Sequence, residues 1–253
     1  MRSPLKQKPL KNPGESLDDE IQRLIDNTAE RYALSSAFLF ALAILEWLLW
    51  YQETPRNPLL YSAFALVAII VTAVRVVFVR KKLHNLRQGR DGEKAVAQFL
   101  ERLRENGAIA FHDIPGQGFN LDHVVMHRSG IYVIETKTMS KPDKGETRLV
   151  FDGESISSFG RPLDRNPVTQ VRAARQWLAE LIQESTGRKF PVRPVVVFPG
   201  WYIEPTAEAR ASDVWVLNPK ALPSFISHSA EQMSAEDVKL CAFHLGQYVR
   251  GCK

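Results

Sequence analysis

Cysteine is scarce in this chain: Cys241 and Cys252 stand apart near the C-terminal end, with no Cys-x-x-Cys pair. That excludes a disulfide framework and a thiolate zinc site, and it fits a reducing compartment. Internal repeats and low-complexity tracts are missing, so no repeat architecture is expected. Long apolar runs are also missing after residue 80, while two of them crowd the first 80 residues. So uneven a distribution excludes one globular domain for all 253 residues. The roughly 170 residues after the second run suit one further domain.

The two runs are Ala33–Tyr51 and Leu59–Val79. At ~1.5 Å per helical residue each reaches, or nearly reaches, across a ~30 Å hydrocarbon core. The polar, doubly proline-containing stretch Gln52–Pro58 between them suits a short turn, so the pair is expected to be a transmembrane helical hairpin. Lys and Arg are nearly absent from that turn, which holds only Arg56, whereas Arg2, Lys6, Lys8, Lys11, Arg23 and Arg31 precede the first run. Arg80, Lys81, Lys82, Arg87 and Arg90 follow the second. Positive flanks stay inside, so both termini are expected in the cytoplasm, at the cell membrane. Trp47, Trp50, Tyr51 and Tyr61 then gather at the outer interface. Glu46 and Arg75 lie near opposite ends of the hairpin, where each can snorkel. A signal peptide fits less well, because the first run starts late and a second follows at once.

The net charge of +5 suits nucleic acid or anionic lipid, although a basic belt beside the membrane accounts for it alone. The expected organisation is a cytoplasmic segment over 1–31 with an amphipathic pattern at Leu17, Ile21, Leu24 and Ile25, two spans within 32–80, a basic linker over 81–90, and a domain over 91–253. In that domain a helix is predicted from Asp91 as N-cap, with Val96, Phe99, Leu100 and Leu103 on one face and Asn106-Gly107 as its end. Phe119–Met126 and Ile131–Thr138 read as a β-hairpin, with more hairpin-like chain to about Phe159. Asn166-Pro167 opens a second helix, Val192–Phe198 and Val214–Leu217 are strands, and Ser234–Asp237 opens the last helix. The fold class is α/β (α+β), with a mixed central sheet flanked by helices.

The hairpin carries the chemistry. A tight turn at Arg128-Ser129 pairs His127 with Gly130, and the same register pairs Met126 with Ile131, Val124 with Val133 and Asp122 with Glu135. Two carboxylates opposed at ~4.5–5.5 Å repel and call for compensation. A hard divalent ion, Mg²⁺ or Mn²⁺, supplies it, since Mg²⁺ takes one or two carboxylates plus waters and phosphate oxygens. Lys137, two residues after Glu135, shares that face. Glu93 and Gln170 project near the buried faces of their helices, where each is placed to reach the same site. His123 and His127 fall on the opposite face of the strand. His112 and Asp113 precede the Pro115-Gly-Gln-Gly118 loop, which reads as a plain connection and could border the cleft.

With Gly92-Glu93, Asp122-His-Val-Val125, Gly130-Ile-Tyr-Val-Ile-Glu-Thr-Lys137 and Asn166-Pro-Val-Thr-Gln170 in this order, the stretch from about Gly89 to Glu204 resembles the nuclease-related domain (NERD) family. That family is itself similar to restriction-endonuclease-like PD-(D/E)xK nucleases. The resemblance implies a metal-dependent phosphodiesterase core: Asp122 and Glu135 as ligands of Mg²⁺ or Mn²⁺, Lys137 stabilising charge or activating water, and Glu93 and Gln170 auxiliary. Leu121 stands where the wider superfamily has proline before the first Asp. Expected partners are nucleic acid, DNA more than RNA, and the bilayer. The competing expectations are a catalytically inactive, membrane-tethered nucleic-acid-binding or interaction module of the same fold, and a membrane sensor acting through Glu46 or Arg75.

Overall fold

The computed structural model describes residues 10–26, 30–52, 58–141 and 147–252. Most of the turn between the apolar runs, including Arg56, and the basic residues Arg2, Lys6 and Lys8 lie outside them. Two compact units result, one made of the residues up to Glu15 together with those from Gln88 onward, the other of Ser16–Arg87.

The second unit contains most of α1 (Glu15–Leu24), all of α2 (Glu30–Tyr51) and the first part of α3 (Pro58–Glu101). Both α2 and α3 are long and apolar enough to cross a membrane. Their contacts run in opposite directions. The Arg75 guanidinium lies 5.7 Å from the Tyr32 ring centroid, Ser36 Oγ is 2.5 Å from Thr72 Oγ1, and Trp47 Nε1 donates to Ser62 Oγ at 2.7 Å. Small residues, Ala43 and Ala65, are buried between them, while Phe38, Leu66, Val77 and Phe78 stay exposed. Arg75 therefore sits at the level of Tyr32 rather than of Glu46.

The helix predicted to begin at Asp91 has no separate start, because α3 runs unbroken from Pro58 to Glu101. Asp91 is not an N-cap; it forms an ion pair with Arg90 at 2.8 Å. The intervening Arg80–Arg90 is rich in Lys, Arg and Leu, all good helix formers, which carry the helix through Gly89, and it contains no proline to stop it. Gly107, left-handed at φ 78°, ends the short 3-10 turn Arg104–Asn106 that follows α3.

The first unit is built on a mixed five-stranded sheet in the order β1-β2-β3-β7-β9. Its strands are β1 (Ile109–Pro115), β2 (Asn120–His127), β3 (Gly130–Thr136), β7 (Val192–Val197) and β9 (Trp215–Leu217). β1, β2 and β3 are antiparallel, whereas β7 runs parallel to β3 and β9 parallel to β7. A second, four-stranded sheet, β6-β5-β4-β8, is formed by β4 (Arg148–Phe151), β5 (Ile156–Ser158), β6 (Arg161–Pro162) and β8 (Tyr202–Pro205). Both β1 and β8 go beyond the strands expected from the sequence.

Helices cover the central sheet on both faces. On one, Val124, Met126, Ile131 and Val133 pack with Val171 and Leu178 of α4 (Pro167–Thr186) and Val238, Cys241 and Leu245 of α6 (Ala235–Gly251). On the other, Val125, Tyr132, Ile134 and Val195 pack with Val96, Leu100 and Leu103 and with Leu222 and Ile226 of α5 (Leu222–Ser227). Val124 and Met126 of β2 thus enter one core and Val125 the other, as strand alternation requires, while Leu121, nearer the start of the strand, joins Val124 and Met126. The caps follow the sequence: the Asn166 side chain accepts from Val168 N with Pro167 behind it, and Ser234 and Asp237 form a reciprocal capping box.

Gly92 lets α3 approach β3 closely. A Cβ at this position would stand 1.9 Å from Thr138 Oγ1. Alanine is the better helix former by about 1 kcal/mol, yet the clash is expected to outweigh it, since overpacking costs about 1–3 kcal/mol. Gly92→Ala should lower the melting temperature, and adding Thr138→Ala should restore most of the loss. Unchanged melting of the single variant would contradict this contact.

Candidate active site

The register expected from the hairpin is the one observed. His127 pairs with Gly130, Met126 with Ile131, Val124 with Val133, and the last recorded pair is His123 with Ile134. One step further, Asp122 stands opposite Glu135. There the ladder changes partner, as Thr136 N donates to Asp122 Oδ2 at 2.7 Å. A carboxylate oxygen on β2 thus takes over a backbone acceptor's role.

Glu135, 6% exposed, is held from two sides. Lys137 Nζ lies 2.6 Å from Glu135 Oε1, Gln170 Nε2 donates to that same oxygen at 2.7 Å, and Lys137 Nζ donates to Gln170 Oε1 at 2.9 Å. These bonds close a ring, with Gln170 delivered by the first turn of α4 next to its Asn166 cap. An ammonium has three N–H donors. Two are spent inside the ring, which fixes the third.

Glu93 comes from α3, on the other side of the sheet, yet is close enough to the cluster to feel its charges. Burial first, then the negative charges of Asp113 and Glu135, push its carboxyl up to about 7, against a bond from the Gly14 N–H and the charge of Lys137. The Asp122 carboxyl is raised well above the usual range by burial and then by Glu135 and Glu93, with Thr136 N–H and Lys137 pulling the other way. The site therefore gathers Glu93, Asp122, Glu135, Lys137 and Gln170, and it concentrates more negative charge than Lys137 offsets.

Asp113 is a member of this cluster to which the sequence assigns no role beyond preceding the Pro115–Gly118 loop. It lies on β1 between the pairs His112–His123 and Ile114–Leu121, hence opposite Asp122. It is 2% exposed and takes a left-handed φ of 50°. Its Oδ1 accepts from Asn120 Nδ2 at 3.0 Å, and its Oδ2 is 3.1 Å from Lys11 Nζ. Asp is among the few non-glycine residues that tolerate this conformation. An acidic residue between alternating apolar ones, Ile109, Phe111 and Ile114, was the available sequence signal; the following Pro115-Gly116 argued instead for a loop.

His123 falls on the opposite face from Asp122, as expected. It is fully buried, with its Nδ1 2.8 Å from His112 Nδ1, and burial followed by the neighbouring His112 lowers its pKa to about 3. His127 is occupied by Ser129 Oγ at 2.7 Å. Neither contributes to the carboxylate face.

A divalent ion fits this donor set in a specific way. Among the described residues, no group of three or more His, Cys, Asp and Glu is close enough to hold a metal ion by itself. Asp122 and Glu135, however, each engage one carboxylate oxygen in the bonds above and leave Asp122 Oδ1 and Glu135 Oε2 available. That suits Mg²⁺ or Mn²⁺, which keep waters and accept substrate oxygens beside one or two carboxylates.

No curated protein matches the chain. Among solved structures, SfsA from Pyrococcus furiosus in complex with Ca²⁺ is matched at 18% identity and a TM-score of 0.26, covering 51% of this chain and 54% of that one. The chain thus spans about half the length of that structure. A family model described as the nuclease-related domain, NERD, matches residues 88–199, a span that contains Glu93, Asp122, Glu135, Lys137 and Gln170. Residues 88–199 of this chain are a nuclease-related domain.

Proposed function

We propose that this protein is a membrane-anchored nuclease that hydrolyses phosphodiester bonds of DNA or RNA with the help of Mg²⁺ or Mn²⁺. The observation that carries the proposal is the closed ring of Lys137, Glu135 and Gln170 beside an opposed Asp122. Asp122 and Glu135 are the residues that would hold the ion. When bound, it would polarise the scissile phosphate and lower the pKa of a coordinated water.

The chain's own groups do the rest. Lys137, clamped by two acceptors, directs its remaining N–H at a phosphate oxygen or at the attacking water and stabilises the negative charge that grows there. Gln170 keeps Lys137 and Glu135 in place. Glu93 lies within the field of Asp122 and Glu135 and orients water at the edge of the site. In the hydrolysis, a water oxygen bonds to phosphorus, the bond from phosphorus to the leaving oxygen breaks, and the water's proton ends on solvent or on that oxygen. The fold class agrees with a restriction-endonuclease-like core, in which three antiparallel strands are followed by a helix and a parallel strand.

α2 and α3 serve as the anchor, with both termini and the nuclease-related domain in the cytoplasm, on the strength of their length and apolarity and the Lys and Arg at their flanks. DNA is the favoured substrate class over RNA.

The test uses the full chain in detergent micelles with plasmid, linear and single-stranded DNA and with RNA, each with Mg²⁺, Mn²⁺ or a chelator. Cleavage that needs the metal and falls at least about a hundredfold in Lys137→Ala is expected, the scale of losing one preorganised charge. Metal-independent cleavage, or cleavage indifferent to Lys137, would overturn the proposal. A second reading draws on the occupied Glu135 Oε1: the domain binds nucleic acid without cutting it. It requires binding with a steep salt dependence and no calorimetric signal for a divalent ion.

A further inference from the structure

Ahead of α1, the described residues from Leu10 form a built turn in the same unit as the nuclease-related domain. Asn12 N donates to Glu15 Oε2 at 2.9 Å, and Glu15 N donates to Asn12 O at 3.2 Å. Gly14 between them is left-handed at φ 72°, where a Cβ would stand 2.9 Å from Arg90 Cγ. Only a residue without a side chain fits so tight a passage.

The turn delivers two groups to the carboxylate cluster. Gly14 N–H bonds to the Glu93 carboxylate, and Lys11 Nζ reaches Asp113 Oδ2 at 3.1 Å across 102 positions of sequence. With Asn120 on its other oxygen, Asp113 has both oxygens occupied. A carboxylate buried this deeply is costly unless paired. The Lys11 ammonium provides the pair, and it withdraws Asp113 from competition for a cation. Asp122 Oδ1 and Glu135 Oε2 are then the open carboxylate oxygens on the row that Asp113, Asp122 and Glu135 form across β1, β2 and β3.

We propose that Lys11 is a positioning residue of the active site: acting through Asp113, it sets the net charge of the cluster and so directs a divalent ion to Asp122 and Glu135. This rests on the nuclease reading above. A fragment that begins after the apolar helices would lack Lys11 and bind the ion with altered strength and stoichiometry.

The test is calorimetric titration of Mn²⁺ into the full chain in micelles, for the wild type, Lys11→Met, Asp113→Asn and the double variant, with melting temperatures on the same samples. Lys11→Met adds a net negative charge beside the site and is expected to tighten Mn²⁺ binding about tenfold or admit a second ion. Asp113→Asn leaves an uncompensated ammonium and is expected to weaken binding by a similar factor. The double variant should return close to wild type, and Lys11→Arg should match it. A strap with a merely structural role would shift both single variants in the same direction.

Should Lys11→Met fail to fold, Asp113→Asn binding more weakly than the double variant still carries the sign of the effect. Wild-type binding with unchanged affinity across the set, or with the same sign in both single variants, would overturn the role of Lys11 alone. No Mn²⁺ binding by the wild type would overturn it together with the nuclease reading.

Discussion

Asp122→Asn is expected to abolish phosphodiester cleavage while making the protein more stable. The two effects share one cause. Asp122 is half-buried opposite Glu135, and desolvation, then the charges of Glu135 and Glu93, hold its carboxyl well above the usual range. Asparagine keeps an oxygen to accept the Thr136 N–H, so the bond that closes the end of the β2–β3 ladder survives. What disappears is one of several crowded negative charges. Relief of this kind is typically worth about 1–2 kcal/mol, and in a domain of this size that amounts to roughly 2–8 °C in melting temperature.

Activity moves the other way because the charge that burdens the fold is the one proposed to hold the ion. With a neutral amide in its place the metal is held by Glu135 alone, and a loss on the order of a thousandfold in cleavage is expected from weakened electrostatic stabilisation. Thermal unfolding and a plasmid-cleavage assay on the same preparation check both halves. A variant that melts lower and still cuts would contradict the account.

Glu93→Gln is expected to stabilise the metal-free protein by an amount that grows from pH 4.5 to about 7 and shrinks when Mg²⁺ is added. Glu93 is raised from 4.5 to about 7 on folding. Between those values the folded state holds a proton that the unfolded state has released, so this group's contribution falls as pH rises. Above the window the charge is present in full and the burden with it. His112, His123 and His127 act in the opposite sense, because burial lowers their pKa values and the unfolded state then binds protons that the folded state does not. The wild-type curve therefore sums opposing slopes, and the difference between wild type and Glu93→Gln isolates the carboxyl. Its plateau is expected on the order of 1–2 kcal/mol, after allowing for solvent at this half-buried edge. A difference that is flat with pH, or one that Mg²⁺ leaves unchanged, would count against a cation-relieved cluster.

The legible parts of the site were those governed by local rules. A two-residue turn and strand alternation fix the register from His127–Gly130 inward, and so the opposition of Asp122 to Glu135. Asn166 before Pro167, and Ser234 with Asp237, marked helix starts by the hydrogen bonds their side chains make. What escaped depended on distant chain. Asp113 sits next to a proline and glycines that argue locally for a loop, and only pairing with β2 makes it a strand residue. Nothing near Lys11 in sequence indicates a partner 102 residues away. The continuity of α3 through Asp91 was hidden by a good local N-cap residue between Gly89 and Gly92, where the helix formers before Gly89 and after Gly92 prevailed. β4, β5, β6 and β8 are short and form their own sheet, so their order cannot be read from period alone.

The most direct test of the central claim is anomalous diffraction from crystals of the full-length protein soaked in Mn²⁺. The expected result is an anomalous peak liganded by Asp122 and Glu135, with Lys137 and Gln170 beside it. Bound Mn²⁺ at other residues, with none between Asp122 and Glu135 at saturating metal, would contradict it.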